Sequence, residues 1–387
     1  MRALLGRAVP AALLLASAAA CGAYRHTVGP AGVAAGGGRS GPADLDSIVP
    51  PTTRSWPAMR TTLEISVWQG DTALAARALE AGRAAVGRVD SLVTAGRPES
   101  EIARVNRRAG TDSATVVSPE TAEVLAAALR YAEATGGAVD PTAAPLADLW
   151  SGYDRRGERP PRAALDSARA LVDWRRVRFD LATRSVRLPL PGMRLDVDAL
   201  ARGYALDRAA AAMRGAGLDR GMIDVGENVL VFGPPPPGTG AWGVGILDPR
   251  NPDAVLGVVT LDSGAVTTTA DDRQGLAGGG ERHSRTVDPR TGAPPTGSAS
   301  ATAVAPTGLA AAALATAFFV LGADRGCVQA RAWPGSDGLW IRDGGAVSAG
   351  APPPIPVGGV VATPALLDRL QLSAEPGRRP APRACGS

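Results

Sequence analysis

The chain has 387 residues, 45% of them hydrophobic, and its 41 basic and 37 acidic side chains leave a formal net charge of +4. That is ample for a buried core in one large or two ordinary domains. Every basic residue is arginine, and the charge is spread thinly with no basic helix or aromatic-basic platform, which argues against a nucleic-acid surface. With only two histidines, His26 and His283, no histidine-based metal cluster can be built.

Residues 1–20 read as an export signal, with Arg2 and Arg7, an apolar run from Ala11 to Leu15, then small residues up to Cys21. The run is too short to span a bilayer. Ala18-Ala-Ala-Cys21 resembles a lipoprotein cleavage site, which would leave Cys21 lipidated and the protein anchored in the cell envelope. A plain secretory signal is the competing reading, because leucine is commoner three residues before such a cysteine. Residues 22–54, rich in Gly, Ala and Pro, are expected to be a tether. The folded body is expected over residues 55–348, and residues 349–387 as a Pro-rich, mostly disordered tail. Within that tail only Val357 to Leu372 is apolar enough to dock.

In the body, Thr61 to Trp68 alternates as a first strand, and Asp71 caps a helix whose apolar stripe runs through Leu74, Ala78, Ala81, Ala85, Val89 and Leu92. Pro98 to Asn106 is a loop feeding a short helical turn. Ser118-Pro-Glu opens a second helix that ends at Gly136-Gly137. Strands follow around Val177–Leu181 and Ser185–Leu188. A helix ending near Gly217 comes next, then a hairpin over Met222–Phe232 and strands near Trp242–Leu247 and Val255–Leu261. Leu309 to Leu321 is apolar all round and too short to cross a membrane, so it is expected to be the buried central helix. The mixture has no regular βαβ rhythm, so the expected class is α+β: a single domain of mixed sheets with flanking helices and one buried apolar helix. Cys327 and Cys385 could pair in an oxidising compartment, but neither belongs to a metal spacing.

The richest stretch is Arg194-Leu-Asp-Val-Asp-Ala-Leu-Ala-Arg-Gly-Tyr-Ala-Leu-Asp207, in which Asp196 and Asp198 precede a helix carrying Arg202 and Asp207. An acid at a helix N-terminus is a cap or a ligand contact. The stretch keeps company with Val139-Asp-Pro-Thr142 and Leu149-Trp150, with Val287-Asp-Pro-Arg-Thr-Gly292, and with Ala313-Leu-Ala-Thr-Ala317 before Phe318 to Gly322. Together, in this order, the segments resemble the FAD:protein FMN transferase (ApbE-like) family over nearly the whole body. Met59 with Thr61, and Ser100-Glu-Ile-Ala-Arg-Val-Asn106, add weaker echoes.

The resemblance implies an α+β domain that binds FAD with Mg²⁺. It further implies transfer of FMN to a Thr or Ser hydroxyl of an exported flavoprotein, with release of AMP. Carried onto this chain, it places flavin-side contacts on Met59, Asp140, Asp196 and Arg202, the last in place of a family lysine. It places metal ligands at the Ala199 carbonyl and the Thr316 hydroxyl. Departures are as informative. Ala312 stands four residues before Thr316, where the family has its metal-binding Asp. Arg285 stands where it has a histidine, and arginine can hold phosphate but cannot act as a general base. The Gly-Gly-Asn/Glu loop is Gly226-Glu227-Asn228, and the Thr-Ser-Gly-Asp segment is Thr268-Thr-Ala-Asp271, followed by Asp272. Either Asp198, Asp271 or Asp272 supplies the missing carboxylate, or the fold persists without efficient transfer. The plainer readings are a helix cap for Asp198, a solvated turn for Asp271-Asp272, and core or rim positions for Tyr204 and Trp150. For Thr316 the plainer reading is a hydroxyl bonded to its own helix.

Overall fold

The computed structural model describes residues 50–270, 276–278, 281–283, 286–343, 359–373 and 382–386. The residues expected to form an export signal, Cys21 and most of the expected tether lie outside the described residues, as do Asp271, Asp272 and Arg285.

Strands β1 (Thr52–Ala58) and β2 (Thr61–Val67) form a hairpin that precedes helices α1 (Thr72–Val93) and α2 (Glu101–Arg107). Then come β3 (Thr115–Val116), α3 (Pro119–Ala134), α4 (Ala144–Asp154), α5 (Arg162–Arg169), β4 (Arg178–Asp180) and β5 (Ser185–Arg187). Helix α6 (Asp198–Gly215) leads into β6 (Gly221–Val225), β7 (Asn228–Phe232), β8 (Trp242–Asp248), β9 (Asn251–Leu261) and β10 (Gly264–Ala270). The hairpin β11 (Leu276–Gly278) and β12 (Glu281–His283) precedes β13 (Ser298–Ala305) and α7 (Gly308–Ala330). The chain finishes with β14 (Asp337–Arg342), β15 (Val360–Ala362), α8 (Pro364–Leu367), β16 (Leu370–Leu372) and β17 (Arg383–Ala384).

Nine strands make the main sheet, in the order β1-β2-β6-β7-β10-β13-β14-β15-β17. Strand alternation assigns its two faces. In β7, Leu230 and Phe232 join the core formed with α1, α6 and α7, whereas Val229 and Val231 turn to a second core. That second core, around Trp68, Trp242, Val259 and Leu366, fills the space under the three-stranded sheet β16-β9-β8. The result is the α+β class expected from the element pattern, in one domain with helices on one face and a small sheet on the other.

Helix α7 lies at the centre, with Ala311, Ala313, Leu314, Ala315, Ala317 and Phe318 inaccessible to solvent. Its assignment to the core does not rest on length, because at 23 residues it is long and apolar enough to cross a membrane. Burial decides instead, together with a break at Gly322, whose φ of 70° and ψ of 175° interrupt the helix.

Three expectations change. The fold begins before residue 55: Thr52–Arg54, expected in the tether, open strand β1; most of its side chains are exposed, so the edge strand shows no apolar alternation and is defined by pairing with β2. In α1 the Asp71 cap holds, accepting from the Ala73 and Leu74 amides at 2.9 and 3.0 Å. The inward stripe, however, runs through Ala75, Ala78, Leu79, Gly82, Val86, Val89 and Val93. Leu74, Ala81, Ala85 and Leu92 sit half-buried on its flank, because so Ala-rich a helix marks its face weakly. The tail is substantially built into the domain. Strands β15 and β17 extend the main sheet, β16 extends the small one, and a Cys327–Cys385 disulfide with a Cα–Cα distance of 5.5 Å ties the tail to α7.

Candidate functional site

The site is assembled at the end of the sheet where the β1–β2 and β6–β7 turns meet. Met59 and Arg60 occupy the left-handed region, with φ of 49° and 63°. Buried Asp90 on α1 anchors this turn by accepting the Met59 amide, and itself accepts Thr94 Oγ1 at 2.6 Å and two donors from Arg97. Burial alone would raise its pKa, but Arg97, Thr94 and the Met59 amide together hold it below the ordinary carboxylate value. In the neighbouring turn Gly226 has φ 51°, and a Cβ there would meet Thr61 Oγ1 at 2.6 Å. Glu227 takes φ 68° without a glycine's freedom. Asn228 closes the turn through its amide on the Val225 and Gly226 carbonyls, at 2.9 and 2.8 Å.

A second group of contacts fixes the approach to α6. Asn106 clamps the main chain of Leu195, donating to its carbonyl at 2.9 Å and accepting its amide at 2.7 Å. The Asp196 amide then donates to Pro141 O at 2.8 Å, which joins this stretch to Val139–Thr142. Asp140 accepts the Thr142 amide and hydroxyl at 2.8 and 2.6 Å and the Trp174 amide at 3.3 Å. Burial pushes its pKa above the ordinary value, and those hydrogen bonds only partly oppose the shift. The Asp288–Gly292 turn docks alongside. Trp150 Nε1 donates to Gly292 O at 2.9 Å, and a Cβ on Gly137 would lie 3.8 Å from Arg290 Cγ. Arg290 is paired to Asp288 at 2.8 and 2.7 Å.

The third group joins α6 to α7. Asp196 Oδ1 accepts the Asp198 amide at 2.8 Å. Asp198 in turn accepts the Ala95 amide at 3.2 Å, with Arg60 Nη1 3.9 Å away. Burial first, and then the neighbouring Asp196, raise the Asp198 pKa to about 6. Asp207 caps α7 by accepting the Gly308 and Leu309 amides at 2.7 and 3.0 Å. One turn earlier the helices touch backbone to backbone: a Cβ on Gly203 would stand 2.1 Å from Gly308 O and 2.8 Å from Ala312 Cβ. Asp207 meets the start of α7 and Gly203 meets Gly308 and Ala312, so the helices run antiparallel. Continuing that progression carries Ala199 toward the turn that bears Thr316. Arg202, next to Gly203, has a buried Nε with no hydrogen-bond partner among the described residues.

The four sequence segments therefore converge, but a magnesium site does not follow. Mg²⁺ is held by hard oxygen ligands, usually including one or two carboxylates. Ala312 offers a methyl group 2% exposed beside Gly203, and Thr316 Oγ1 donates to Ala312 O at 3.1 Å. The Asp198 carboxylate is turned to Ala95 and Arg60. Among the described residues no three His, Cys, Asp or Glu side chains form a group that could hold a metal ion. The described residues do not fit the ion. Asp90 and Arg60 escaped sequence reasoning, since neither a left-handed Met-Arg pair nor its anchor leaves a local signal.

Residues 59–338 match the ApbE family. A FAD:protein FMN transferase of Treponema pallidum is 31% identical over 268 residues, covering 65% of this chain and 73% of that protein. One from Klebsiella pneumoniae is 28% identical over 287 residues, covering 73% and 86%. The crystal structure of the ApbE protein of Thermotoga maritima superposes with a TM-score of 0.68 at 28% identity, covering 77% of this chain and 96% of its own. With a family match over most of its folded body and the same fold in a solved structure, the chain belongs to the ApbE family.

Proposed function

We propose that the protein is a flavin transferase that takes FMN from FAD and attaches it to a Thr or Ser hydroxyl of an exported protein, releasing AMP. The observation that carries this reading is the buried Arg202 Nε, which has no acceptor among the described residues and belongs to the residue next to Gly203, where α6 meets α7. The names of the relatives in Treponema pallidum and Klebsiella pneumoniae support the same chemistry. An acceptor hydroxyl attacks the FMN phosphorus and gives up its proton to solvent water, the bond from that phosphorus to the bridging oxygen breaks, and AMP leaves with the oxygen. Positioning and charge stabilisation do most of the work in such a step. Arg202 offsets developing phosphate charge, Asp140 and Asp196 hold the flavin side, and the Met59 turn closes over it. Arg285 adds a second guanidinium for phosphate. The resemblance also implies Mg²⁺, but its donor set is incomplete among the described residues and no step is routed through it. The signal-like residues 1–20 and Cys21 support an envelope location with a lipid anchor, which puts the acceptor protein in the same compartment.

A second reading, a family member that binds FAD without turnover, is favoured by Ala312. The purified protein incubated with FAD and an acceptor flavoprotein separates the two. AMP release with flavin covalently on the acceptor supports the transferase. Tight FAD binding with no AMP supports the second reading, and AMP with free FMN indicates hydrolysis.

A further inference from the structure

We propose that this chain binds FAD without a divalent metal, with Arg60 and Arg202 carrying the pyrophosphate charge that the ion would otherwise offset. The inference rests on the flavin reading above.

Three observations point this way. First, the turn of α7 that presents Thr316 carries the Ala312 methyl in place of a carboxylate, and that methyl is packed beside Gly203. The Thr316 hydroxyl is turned onto its own helix. Second, Arg202 has a buried Nε with no acceptor among the described residues. A buried donor left unpaired is costly, and a phosphate oxygen is an acceptor that a guanidinium suits in both shape and charge. Third, Arg60 projects from a turn that keeps it left-handed at φ 63°, a conformation non-glycine residues adopt only where the surroundings enforce it.

Those surroundings are visible. The Met59 amide is held by Asp90, which is itself held by Thr94 and Arg97. The Arg60 side chain is 73% exposed, and its neighbour Asp198 is 3.9 Å away, beyond hydrogen-bond distance. The guanidinium therefore keeps its donors available while a carboxylate biases where it points. Arg202 also lies within electrostatic reach of Asp198, so both cations belong to one cluster with Asp196 and Asp198. Guanidinium groups stay charged at any workable pH and need no resident ion.

Binding of FAD and of riboflavin, which has no phosphate, is measured on the whole protein in EDTA and in excess Mg²⁺. The expected result is an FAD affinity that differs by no more than about two-fold between the two conditions. Arg60→Ala is expected to weaken FAD about tenfold and to leave riboflavin unchanged. Ala312→Asp, which restores a carboxylate one turn before Thr316, is expected to make FAD affinity respond to Mg²⁺. FAD binding that collapses in EDTA and returns with Mg²⁺ overturns the proposal while leaving the flavin reading intact. So does an Arg60→Ala variant that loses FAD and riboflavin equally, since the residue then acts through the fold. No binding of either flavin in either condition overturns both.

Discussion

Asp207 and Gly308 lie 101 residues apart, yet the Asp207 carboxylate accepts the Gly308 amide at 2.7 Å and so supplies a cap for the central helix from a different helix. The same carboxylate takes the Leu309 amide at 3.0 Å, while Thr307 caps Ala310 at 3.2 Å. Between them they satisfy three amides that α7 cannot pair internally. Asp207→Ala is expected to destabilise the protein by about 1–2 kcal/mol. Asp207→Asn, which keeps an acceptor, should cost less. Urea unfolding of the two variants checks the order.

Gly203→Ala should be far worse than its size suggests. The new Cβ would lie 2.1 Å from Gly308 O, and backbone cannot move aside as a flexible side chain can. Separation of α6 from α7 is expected to cost about 3 kcal/mol or more. Gly82→Ala is the control, because the nearest atoms to its Cβ would be side-chain atoms, Ile65 Cδ1 and Met213 Sδ at 2.9 Å each, rather than backbone. Thermal melts that rank Gly82→Ala as the more damaging change would contradict this account.

Asp198 gives stability a pH dependence of known sign. Its folded pKa of about 6 lies above the ordinary carboxylate value of 3.8, so between roughly pH 4 and 6 the folded state binds more protons than the unfolded one. Its contribution to stability therefore falls as pH rises through that window and is lowest above it. Asp198→Asn, neutral throughout, should flatten this part of the curve by about 3 kcal/mol at most. Denaturation midpoints at a series of pH values, for both proteins, measure the difference.

The Cys327–Cys385 disulfide spans 58 residues, and in the chain-entropy account a loop of that length is worth about 4 kcal/mol. Reduction, or Cys385→Ser, is expected to lower the melting temperature and free the two-residue strand β17 from β15. Limited proteolysis should then clip the C-terminus first. A melting temperature indifferent to reductant would show that β15 and β16 hold the tail unaided.

Asn106→Ala should loosen the approach to α6 without unfolding the domain. It removes both hydrogen bonds to Leu195 and leaves an amide and a carbonyl of that residue unpaired, at a cost of about 2 kcal/mol. Because Asp196 is the next residue, flavin affinity is expected to fall more steeply than stability. Titration with FAD beside a urea melt gives the comparison.

Much of the fold was legible where the determinants are local. Asp71 and Ser118 mark helix starts because their side chains reach amides two or three residues on. The β6–β7 hairpin shows in its residues because β7 alternates between two cores. Strand β1 does not show, since an exposed edge strand takes its identity from its partner. The tail does not show either: Pro and Gly mark its composition as loose, while β15, β16 and the disulfide hold parts of it through residues far away in the chain. The site is legible in its motifs and opaque in its supports. Asp140, Asp196 and Arg202 stand out as residues, but nothing local marks Asp90 as the anchor of Met59 or Arg60 as a left-handed neighbour of Asp198.

By itself the sequence determined the family, the α+β class and the principal helices, all properties of residue type and short-range spacing. Only the tertiary structure decided that Asp207 caps α7, that Gly203 and Gly308 let two helices meet backbone to backbone, and that Cys327 finds Cys385. The physical reason is that each of these needs two chain segments brought together from a distance. Such contacts are selected by packing of the whole core, and no local pattern of residues records them.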